Sequence, residues 1–413
     1  MNVPEDLNVI VLNDFCYIQG GASKVAIEEA IGLARSGIRV IFVGAVGPVC
    51  ADLRNAPLRV ECLNQNQLLD GLRNPAMALQ GLWNSKAGRR VGYILRSLPR
   101  HHTVVHLHGY TKALTTSPVR TARRLGVPVI CTLHDFFAAC PNGAFFDYEA
   151  AAPCSRRPLS GTCILTDCDK RHYAHKLFRV VRGVIQRFVG RFPSTVVHYI
   201  TLSDLSAAVL APYLPARACT YRLANPIDVT RAPPVPVAAN RRILYVGRLD
   251  EEKGVRVLLQ AAAKLALPVT FVGDGPLRPE IEASPGAVVT GWLAGEQVRR
   301  HLSAARCLVF PSLWYETFGL TVTEAAALGI PAIVSDISAA AERVEDGVTG
   351  WHFKSGDAAD LARCLMAIKD DRAVRMAGIA AYHAFWAIAP TPDLHTADLL
   401  RIYQRALTSG SEV

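Results

Sequence analysis

The chain has 413 residues, of which 50% are hydrophobic and 19% charged, and this composition excludes a disordered protein and predicts two domains of ordinary size. The net charge of +10 comes from residues 1–230, which hold 26 Lys and Arg against 15 Asp and Glu, whereas residues 231–413 hold 19 against 20. An apolar run long enough to span a bilayer is absent from the sequence, and the start around Glu5 and Asp6 lacks the basic region of a signal peptide, so we predict a cytoplasmic protein.

Apolar, β-branched runs in the first half alternate with stretches of helical periodicity, which predicts a parallel sheet with helices on both faces. The first run, Asn8–Leu12, leads through a glycine loop into an amphipathic stretch from Ala22 to Arg35, which Gly37 ends. Further strands are predicted at Arg39–Val43, Leu58–Cys62, Thr103–Leu107, Pro128–Leu133 and Val197–Leu202.

Glycine and histidine follow several of these strands. Gly20 and Gly21 open the first helix, where paired glycines let the backbone approach a phosphate closely. His134 follows the fifth predicted strand, and His106 and His108 alternate at the strand before it, so both should point to one face. These imidazoles can hydrogen-bond a ligand, and the alternative for each is a satisfied histidine of the core.

Cysteine is frequent, with eleven residues, but the odd count argues against a secreted disulfide framework. Four cysteines fall in or beside one loop-rich segment: Cys140, Cys154, Cys163 and Cys168. The spacing of the last two approaches that of metal ligands. The segment therefore suggests a structural zinc site, and free thiols are the alternative.

The stretch His172–Phe192 contains no acidic residue and is amphipathic. One face carries Leu177, Val181, Val184, Ile185, Phe188 and Phe192, and the other carries Lys176, Arg179, Arg182, Arg187 and Arg191. A basic amphipathic helix can lie on an anionic membrane, and the alternative is a core helix with a solvated basic face. We predict peripheral docking on the inner face of the cytoplasmic membrane. Nucleic acid is not a predicted partner, because zinc-finger spacing and RNA-binding aromatic signatures are missing from the sequence.

The alternating pattern restarts after a Pro-rich linker at Ala232–Asn240. Strands are predicted at Arg242–Val246, Val269–Val272, Val288–Thr290, Cys307–Phe310 and Ala332–Ser335. A helical tail follows at Pro392–Leu407. The predicted domains are residues 1–224 and 225–390, with a last helix in 391–413 that can return to the first domain.

Two cations follow the first strand of the second half. Arg248 and Lys253 lie five residues apart, after Gly247, on the turn into a helix. Two cations beside a helix N-terminus suit a nucleoside diphosphate. The alternative is a solvated loop in which both cations pair with Asp250, Glu251 and Glu252.

Two carboxylates flank the start of a later helix. Glu316 lies in a loop after a strand, and Glu324 lies on the helix that follows, with seven residues between them. Backbone N–H groups of Phe318, Gly319 and Leu320 can point at a phosphate from the helix start. One carboxylate can then hold sugar hydroxyls and the other ribose hydroxyls. The alternative is an exposed Glu316 and a helix-capping Glu324.

Together these segments resemble the retaining glycosyltransferases of the GT-B fold, family 4. The Glu316–Glu324 pair matches that family's paired-glutamate motif, and the segments Val272–Pro276 and Thr290–Trp292 match between the two motifs. The resemblance is strongest over Arg242–Gly350. It implies an α/β fold of two Rossmann-like domains that face each other across a cleft.

The resemblance also implies residue roles. Arg248 and Lys253 would meet the diphosphate, Glu316 the donor sugar and Glu324 the ribose, while His134 would lie near the anomeric carbon. Catalytic roles therefore fall to His134, Glu316, Arg248 and Lys253, and His108 is assigned to the acceptor side. The remaining donor-binding residues are Gly20, Gly21, Gly247, Gly273, Asp274, Gly275, Trp292, Phe318, Gly319 and Leu320.

The implied reaction moves a sugar, with retained anomeric configuration, from a nucleoside-diphosphate sugar to a saccharide or glycolipid acceptor. Its expected setting is the synthesis of bacterial cell-surface polysaccharide or glycolipid. The chemistry would need no cofactor, because the leaving phosphate accepts the acceptor's proton and the two cations replace a metal. The alternatives are a sugar-nucleotide epimerase of similar fold and a non-catalytic protein that binds nucleotide sugars.

Overall fold

The computed structural model describes residues 6–67 and 75–409. Glu5, which entered the signal-peptide prediction, lies outside these ranges. So do residues 1 and 413, the outer bounds of the first predicted domain and of the predicted last segment. Within the described ranges, every helix is too short or too polar to cross a membrane.

Strands and helices alternate along most of the chain. The strands are β1 (Asn8–Phe15), β2 (Arg39–Val46), β3 (Arg59–Cys62), β4 (Thr103–Leu107), β5 (Val129–Thr132), β6 (Phe146–Asp147), β7 (Ala152–Pro153), β8 (His198–Thr201), β9 (Cys219–Arg222), β10 (Arg242–Val246), β11 (Val269–Val272), β12 (Ala287–Val289), β13 (Ala305–Phe310), β14 (Ala332–Ser335) and β15 (Gly350–Phe353). The helices are α1 (Gly21–Arg35), α2 (Ala51–Asn55), α3 (Pro75–Leu82), α4 (Ser85–Arg96), α5 (Ser117–Arg124), α6 (Gly161–Leu165), α7 (Tyr173–Phe188), α8 (Asp204–Leu210), α9 (Val255–Lys264), α10 (Arg278–Glu282), α11 (Gly295–Ser303), α12 (Leu320–Ala327), α13 (Ala358–Ala367), α14 (Asp371–Ala387) and α15 (Pro392–Ser409).

The first sheet is parallel, with strand order β3-β2-β1-β4-β5-β8-β9. Asn8 of β1 pairs with Arg39 on one side and with Thr103 on the other. Every residue of β1 is buried, as expected for a parallel strand covered on both faces. Helix α15 packs on α1 and β4, and its Tyr403 is fully buried in their core.

The second sheet is also parallel, with strand order β12-β11-β10-β13-β14-β15. Ile243 of β10 pairs with Val269 of β11 and with Cys307 of β13. Its core contains fully buried apolar side chains from successive strands, among them Leu244 and Phe271. The α/β class with two parallel sheets is therefore confirmed.

The chain divides into two compact units. The first consists of Met1–Gly143, Arg156–Pro226 and Pro390–Val413, and the second consists of Ala144–Ser155 and Ile227–Ala389. The predicted division assigned residues 144–155 to the first domain. Their short antiparallel ribbon, β6 with β7, belongs to the second unit because Phe146 is fully buried in that unit's core.

In both sheets the strand order reverses beside the first strand of the unit, between β1 and β4 and between β10 and β13. Ligands of open parallel sheets bind outside the carboxyl ends of the strands at such a reversal. In the second unit, Arg248 and Lys253 follow β10, and Glu316 follows β13. The topology therefore brings the two predicted motifs to neighbouring strand ends.

Candidate active site

An ion pair joins the two motifs of the second unit. The ammonium of Lys253 donates to Oε1 of Glu316, and the two side chains are only 16% and 12% exposed. The pair forms because β10 and β13 are hydrogen-bonded neighbours whose carboxyl ends lie at the same sheet edge. The structure thus brings together two residues that are 63 positions apart in the sequence.

Two further side chains hold the Glu316 carboxylate. Nε1 of Trp314 donates to Oε1 at 2.8 Å, and Oγ of Ser312 donates to the same oxygen at 2.9 Å. The ammonium of Lys253 lies 5.0 Å from the centre of the Trp314 ring, within cation–π range. The sequence analysis missed Trp314, although its position two residues before Glu316 in a strand-end loop was a usable signal.

The backbone at Glu316 is unusual, because its φ of 49° lies in the left-handed region. A non-glycine residue there costs of the order of 1–3 kcal/mol, and such strain persists where the surroundings hold it in place. Here the three hydrogen bonds to the carboxylate hold it. Strained backbone of this kind concentrates at functional sites.

The charge state of Glu316 follows from the same contacts. Burial would raise its pKa, but the charge of Lys253 and the hydrogen bonds from Lys253, Trp314 and Ser312 outweigh burial and hold the pKa below its ordinary value. Glu316 is therefore a carboxylate at neutral pH. It can accept hydrogen bonds from a hydroxyl-bearing ligand, but it cannot donate a proton.

Arg248 pairs with acidic residues of its own loop. Its guanidinium contacts Asp250, and its second terminal nitrogen lies 3.0 Å from Oε1 of Glu252. Its side chain is 53% exposed, so one face of the guanidinium remains accessible. Arg248 therefore pairs with acidic residues of its own loop, as the alternative in the sequence analysis stated. Lys253 pairs with Glu316 instead.

Three strand-end loops pack closely beside this pair. Gly254 has a φ of 68°, and a Cβ added there would lie 1.8 Å from the carbonyl oxygen of Pro311. A Cβ at Gly273 would lie 1.9 Å from the carbonyl oxygen of Gly247. The backbone N–H of Gly273 also donates to Gly291 at 3.0 Å. Glycine is therefore required at both positions for the loops after β10, β11 and β13 to meet.

Helix α12 begins beside these loops. Gly319 is its N-cap, with a φ of 87° and without a side-chain cap, and Leu320 is its first residue. Phe318 is buried under the guanidinium of Arg343, which lies 3.7 Å from the centre of its ring. Glu324 lies on α12 and is half-buried.

The outer predicted donor residues also belong to the second unit. Asp274 accepts from the N–H of Gly275 at 2.8 Å and contacts Arg278 at 3.0 Å, and Trp292 is 64% exposed. Both follow strands of the second sheet, at its carboxyl edge. The donor residues predicted in the second half thus lie either after the strands of the second sheet or in the first turns of α12.

Four predicted site residues belong to the first unit: Gly20, Gly21, His108 and His134. Gly20 is the N-cap of α1, with an extended φ of 169°. A Cβ added there would meet nothing within 4 Å among the described residues. Neither backbone strain nor packing therefore demands this glycine, and the space beside it is open to a ligand.

His134 is half-buried and lies beside a buried histidine. Its Nε2 is 2.9 Å from Nδ1 of His108, and the two rings stack. Burial lowers the pKa of His134 to about 3, with the charge of His108 acting in the same direction. The imidazole is therefore neutral, and it can hydrogen-bond a substrate without carrying charge.

His108 does not have the geometry of an acceptor-binding residue. Its side chain has no exposure, and its two nitrogens face His134 and the buried pair of Glu29 and His106. The assignment of His108 to acceptor contact is thus corrected to a supporting position behind His134. The prediction that His106 and His108 share one face agrees with their ring separation of 4.0 Å.

The structure does not support a zinc site at the cysteines. The ammonium of Lys176 lies 2.9 Å from Sγ of Cys168 and 3.6 Å from Sγ of Cys163, so a side-chain cation already occupies that position. Cys140 contacts Asn142, and Cys154 belongs to the second unit. None of the eleven cysteines, all within the described ranges, forms a disulfide. Among the described residues, the one set of three converging metal-ligand atoms involves no cysteine.

Helix α7 is not a core helix with a solvated basic face, because it exposes its apolar stripe and buries part of its basic face. Its apolar stripe faces solvent, with exposures of 40% at Leu177, 47% at Val181 and 70% at Phe188. Lys176 and Arg182 of the predicted basic face are instead buried. The helix also ends at Phe188, so the predicted members Arg191 and Phe192 lie beyond it, and Phe192 is buried.

Comparison with known proteins identifies the family. The sequence profile of Glycosyltransferase Family 4 matches residues 19–231, just over half of the chain, and that of Glycosyl transferases group 1 matches residues 240–371. A 2-deoxystreptamine glucosyltransferase of Streptomyces kanamyceticus is 28% identical over 409 residues, covering 91% of this chain and 96% of the relative. A phosphatidyl-myo-inositol mannosyltransferase of Mycobacterium leprae is 26% identical over 252 residues, covering 56% of this chain and 65% of the relative.

Solved structures agree with the fold. The crystal structure of HepE from Anabaena in complex with UDP and glucose has a TM-score of 0.67 at 16% identity, covering 97% of this chain and 100% of that chain. It is a GT-B neighbour, so the GT-B class predicted from the resemblance is confirmed. The chain therefore belongs to glycosyltransferase family 4, and it is an enzyme that transfers a sugar.

Proposed function

We propose that the chain transfers a sugar from a nucleoside-diphosphate sugar to a saccharide or glycolipid acceptor with retention of anomeric configuration. The observation that carries this proposal is the Lys253–Glu316 ion pair with Trp314 against both partners. It combines a cation for phosphate and a carboxylate for hydroxyl groups at one strand-end site. We infer that the pathway is bacterial cell-surface polysaccharide or glycolipid synthesis.

The donor's diphosphate would be bound by Lys253, by the exposed face of Arg248 and by the N-terminus of α12. A phosphate competes with Glu316 for the ammonium of Lys253, so donor binding would release Glu316 to accept hydroxyl groups of the sugar. Glu324, four residues into the same helix, is assigned to the ribose. Two side-chain cations and a helix dipole provide charge-assisted contacts to a dianion.

In the proposed reaction, the bond from the anomeric carbon to the leaving phosphate oxygen breaks, and a bond from that carbon to the acceptor oxygen forms on the same face. The acceptor hydroxyl gives its proton to the leaving phosphate, which departs as the nucleoside diphosphate. Neutral His134 would hydrogen-bond a hydroxyl of the transferred sugar. Glu316 would hold the sugar in place and would not transfer a proton.

The activity test begins with a thermal-shift screen of UDP-, GDP- and ADP-sugars, because a bound donor raises the melting temperature by mass action. UDP-sugars come first, since the HepE neighbour binds UDP and glucose. Nucleoside-diphosphate release should depend on added acceptor and should continue in EDTA during a short assay. The product's anomeric proton coupling reports retention. Release of nucleotide at the same rate without acceptor would instead support the epimerase.

The acceptor is assigned to a polar cavity of about 220 Å³ in the first unit. Its walls include amide and amine side chains from Asn64, Gln65, Asn66, Gln80, Lys86 and Lys112. Asn64 follows β3 and Lys112 follows β4, so the cavity lies at the carboxyl ends of the strands. Amides suit the hydroxyl groups of a sugar, and two lysines suit an acceptor that also carries a negative charge.

We further propose that the enzyme docks on an anionic membrane through α7. Its exposed apolar stripe is flanked by the exposed cations Arg171, Arg187 and Arg191, and the first half of the sequence carries the basic excess. Each cation near an anionic bilayer contributes about 1 kcal/mol, and the apolar side chains add burial in the interface. The relative from Mycobacterium leprae is named for a lipid acceptor, which agrees with a lipid-linked acceptor here.

Docking is tested by sedimentation with phosphatidylglycerol vesicles and with neutral phosphatidylcholine vesicles, each at low and high salt. Phe188→Ser with Val181→Ser should lower recovery on anionic vesicles, and so should Arg187→Gln with Arg191→Gln. Ile388→Ser is the matched control, because Ile388 is 84% exposed but belongs to the second unit. The docking surface would be rejected if wild type were recovered equally on both vesicle types. It would also be rejected if both α7 variants were recovered on anionic vesicles as well as wild type.

A further inference from the structure

A carboxylate and two imidazoles meet in the core of the first unit. Glu29 comes from α1, His106 lies on β4, and His108 directly follows that strand. The three residues are 4%, 0% and 4% exposed. Although buried, Oε2 of Glu29 makes no hydrogen bond of good geometry to a described residue, and its near contact is Nε2 of His108 at 3.3 Å. An unsatisfied buried carboxylate oxygen is costly, so this atom requires an explanation.

Three atoms of this cluster face one another at nearly equal separations. Oε2 of Glu29 lies 3.5 Å from Nδ1 of His106 and 3.3 Å from Nε2 of His108, and the two nitrogens are 3.2 Å apart. Zinc binds imidazole nitrogen and carboxylate oxygen at about 2.0–2.2 Å, so the ligand atoms of a tetrahedral site lie about 3.3–3.5 Å apart. The triangle therefore has the size of one face of a zinc tetrahedron.

The opposite atoms of the same side chains are held by neighbours. The three outer contacts are those of His106 Nε2 with Thr132 Oγ1 at 2.7 Å, His108 Nδ1 with His134 Nε2 at 2.9 Å, and Glu29 Oε1 with His395 Nε2 at 2.9 Å. Metal-binding side chains typically have their outer atoms hydrogen-bonded in this way, because those partners fix the ligand orientation. The inner atoms face a common point, where Nδ1 of His106 also contacts the hydroxyl of Tyr403.

We propose that Glu29, His106 and His108 bind a divalent transition-metal ion, with zinc as the metal to test first. Imidazole nitrogen favours zinc and its neighbours over magnesium or calcium, which prefer all-oxygen sites. The hydroxyl of Tyr403 is hydrogen-bonded to Nδ1 of His106 at 2.7 Å, which is shorter than the separation of two ligands of one ion, so this oxygen would have to move away from Nδ1 to take the fourth position. The competing arrangement is a metal-free chain of hydrogen bonds through the same histidines.

The proposed ion would act as a structural link and would not itself contact the reacting groups. It would join α1 to β4 directly, and it would join α15 through Tyr403 and through His395 on Glu29. It would also fix a tautomer, because a metal on Nε2 of His108 leaves the proton on Nδ1. His108 then donates to Nε2 of His134, so the proton of neutral His134 lies on its own Nδ1.

Metal analysis of the full chain tests the site. The protein is produced without a histidine tag, with zinc in the growth medium, and is dialysed against EDTA before elemental analysis. The expected result is about one equivalent of metal per chain, released to a chromophoric chelator only when the protein is unfolded in guanidinium. Protein grown with Co²⁺ in place of zinc should show the intense visible absorption of tetrahedral Co²⁺. Less than about one tenth of an equivalent in the zinc preparation would overturn the proposal and leave the hydrogen-bonded chain.

Variants locate the ion. Glu29→Gln and His108→Gln should each lower the metal content at least severalfold, whereas His198→Gln should keep it, because His198 is equally buried but contacts Tyr221 outside the cluster. Cys163→Ser with Cys168→Ser should also keep it. Full metal content in both cluster variants would overturn the assignment. If a cluster variant fails to fold, the wild-type stoichiometry and the Co²⁺ spectrum still decide.

Discussion

The ammonium of Lys253 and the carboxylate of Glu316 neutralise each other, and both groups are proposed to bind the nucleotide sugar. Both side chains are largely buried, and Trp314 contacts both of them. The ion pair therefore links two residues to which we assign different roles, diphosphate binding for Lys253 and sugar binding for Glu316. A change at either residue therefore also removes the partner's opposite charge.

Removal of either cation should weaken the donor. Lys253→Ala and Arg248→Ala each delete a charge-assisted contact, worth about 1.5–3 kcal/mol, so affinity for the nucleoside diphosphate should fall at least about tenfold. Isothermal titration calorimetry gives the affinity, and circular dichroism checks the fold. Lys264→Ala is the control, because Lys264 is an exposed cation at the end of α9. Unchanged affinity in both site variants would contradict the diphosphate assignment.

Glu316 and Glu324 should respond differently to loss of charge. Glu316→Gln frees Lys253 for the phosphates, so free nucleoside diphosphate should bind as well as or better than it does to wild type, while turnover falls sharply. Glu324→Gln should weaken the free nucleotide, because its proposed partner is the ribose. Equilibrium binding and initial rates are compared for both variants. Identical nucleotide affinities in the two variants would disprove this division.

Trp314 should act as a positioning residue. Trp314→Phe keeps a ring near Lys253 but deletes the hydrogen bond from Nε1 to Glu316, which removes a contact to a charged group worth about 1.5–3 kcal/mol. We expect kcat to fall while KM for the donor changes little. Trp314→Ala should lower both kcat and donor affinity. The opposite split, with kcat kept and KM raised in Trp314→Phe, would show that the hydrogen bond from Nε1 contributes only to donor binding.

Lys112 of the proposed acceptor cavity should titrate about one pH unit above neutral. Burial lowers its pKa to about 8; Arg179 and Arg182 act in the same direction, and Asp14 and Asp135 oppose them. Lys112 is therefore a cation below pH 8 and loses its charge above it, so affinity for an anionic acceptor should fall as the pH rises through 8. Competitive acetylation with peptide mass spectrometry reports the midpoint, with exposed Lys264 as the reference. A Lys112 midpoint near the ordinary lysine value of about 10.4 would contradict the prediction.

Glycine should be irreplaceable where the loops meet. Gly254→Ala adds a Cβ against the carbonyl of Pro311 and forces a left-handed conformation on alanine, so it should destabilise the protein by more than about 1 kcal/mol. Gly295→Ala is the matched control: the position has open space and begins α11, so the change should be neutral or slightly stabilising. Urea unfolding measures both. A similar midpoint for the two variants would show that the loop can shift.

Much of the fold could be predicted because buried parallel strands are continuous apolar runs. Arg242–Val246 and Thr103–Leu107 have the predicted bounds in the structure. Strand β9 was missed because Cys219–Arg222 is an edge strand, mostly exposed, and lacks that pattern. The amphipathic pattern of α7 was recognised, but its end was placed too late, and periodicity cannot tell which face is inside. Buried Lys176 and exposed Phe188 reverse the usual rule.

The candidate site, like the fold, could be predicted only in part. The placement of the motif residues at strand ends was predictable because a strand-end loop with charged residues has a readable pattern. Their partners were not, because the contact of Trp314 with Lys253 depends on how two loops pack. Glu29 and His395 lie 366 positions apart and meet only through the packing of α15 on α1. A pairing of this kind leaves no local signal in a single sequence.

The two-unit division has a consequence for recombination between relatives. The polypeptide passes from one unit to the other after Gly143, Ser155, Pro226 and Ala389. A chimaera made with a single junction near Pro226 would therefore inherit α15 from one parent and the core beneath it from the other. It would likewise inherit the ribbon at Ala144–Ser155 from one parent and the core of the second unit from the other. Exchange of donor specificity between family members should need four junctions, with Leu399 and Tyr403 kept with the parent that supplies α1 and β4.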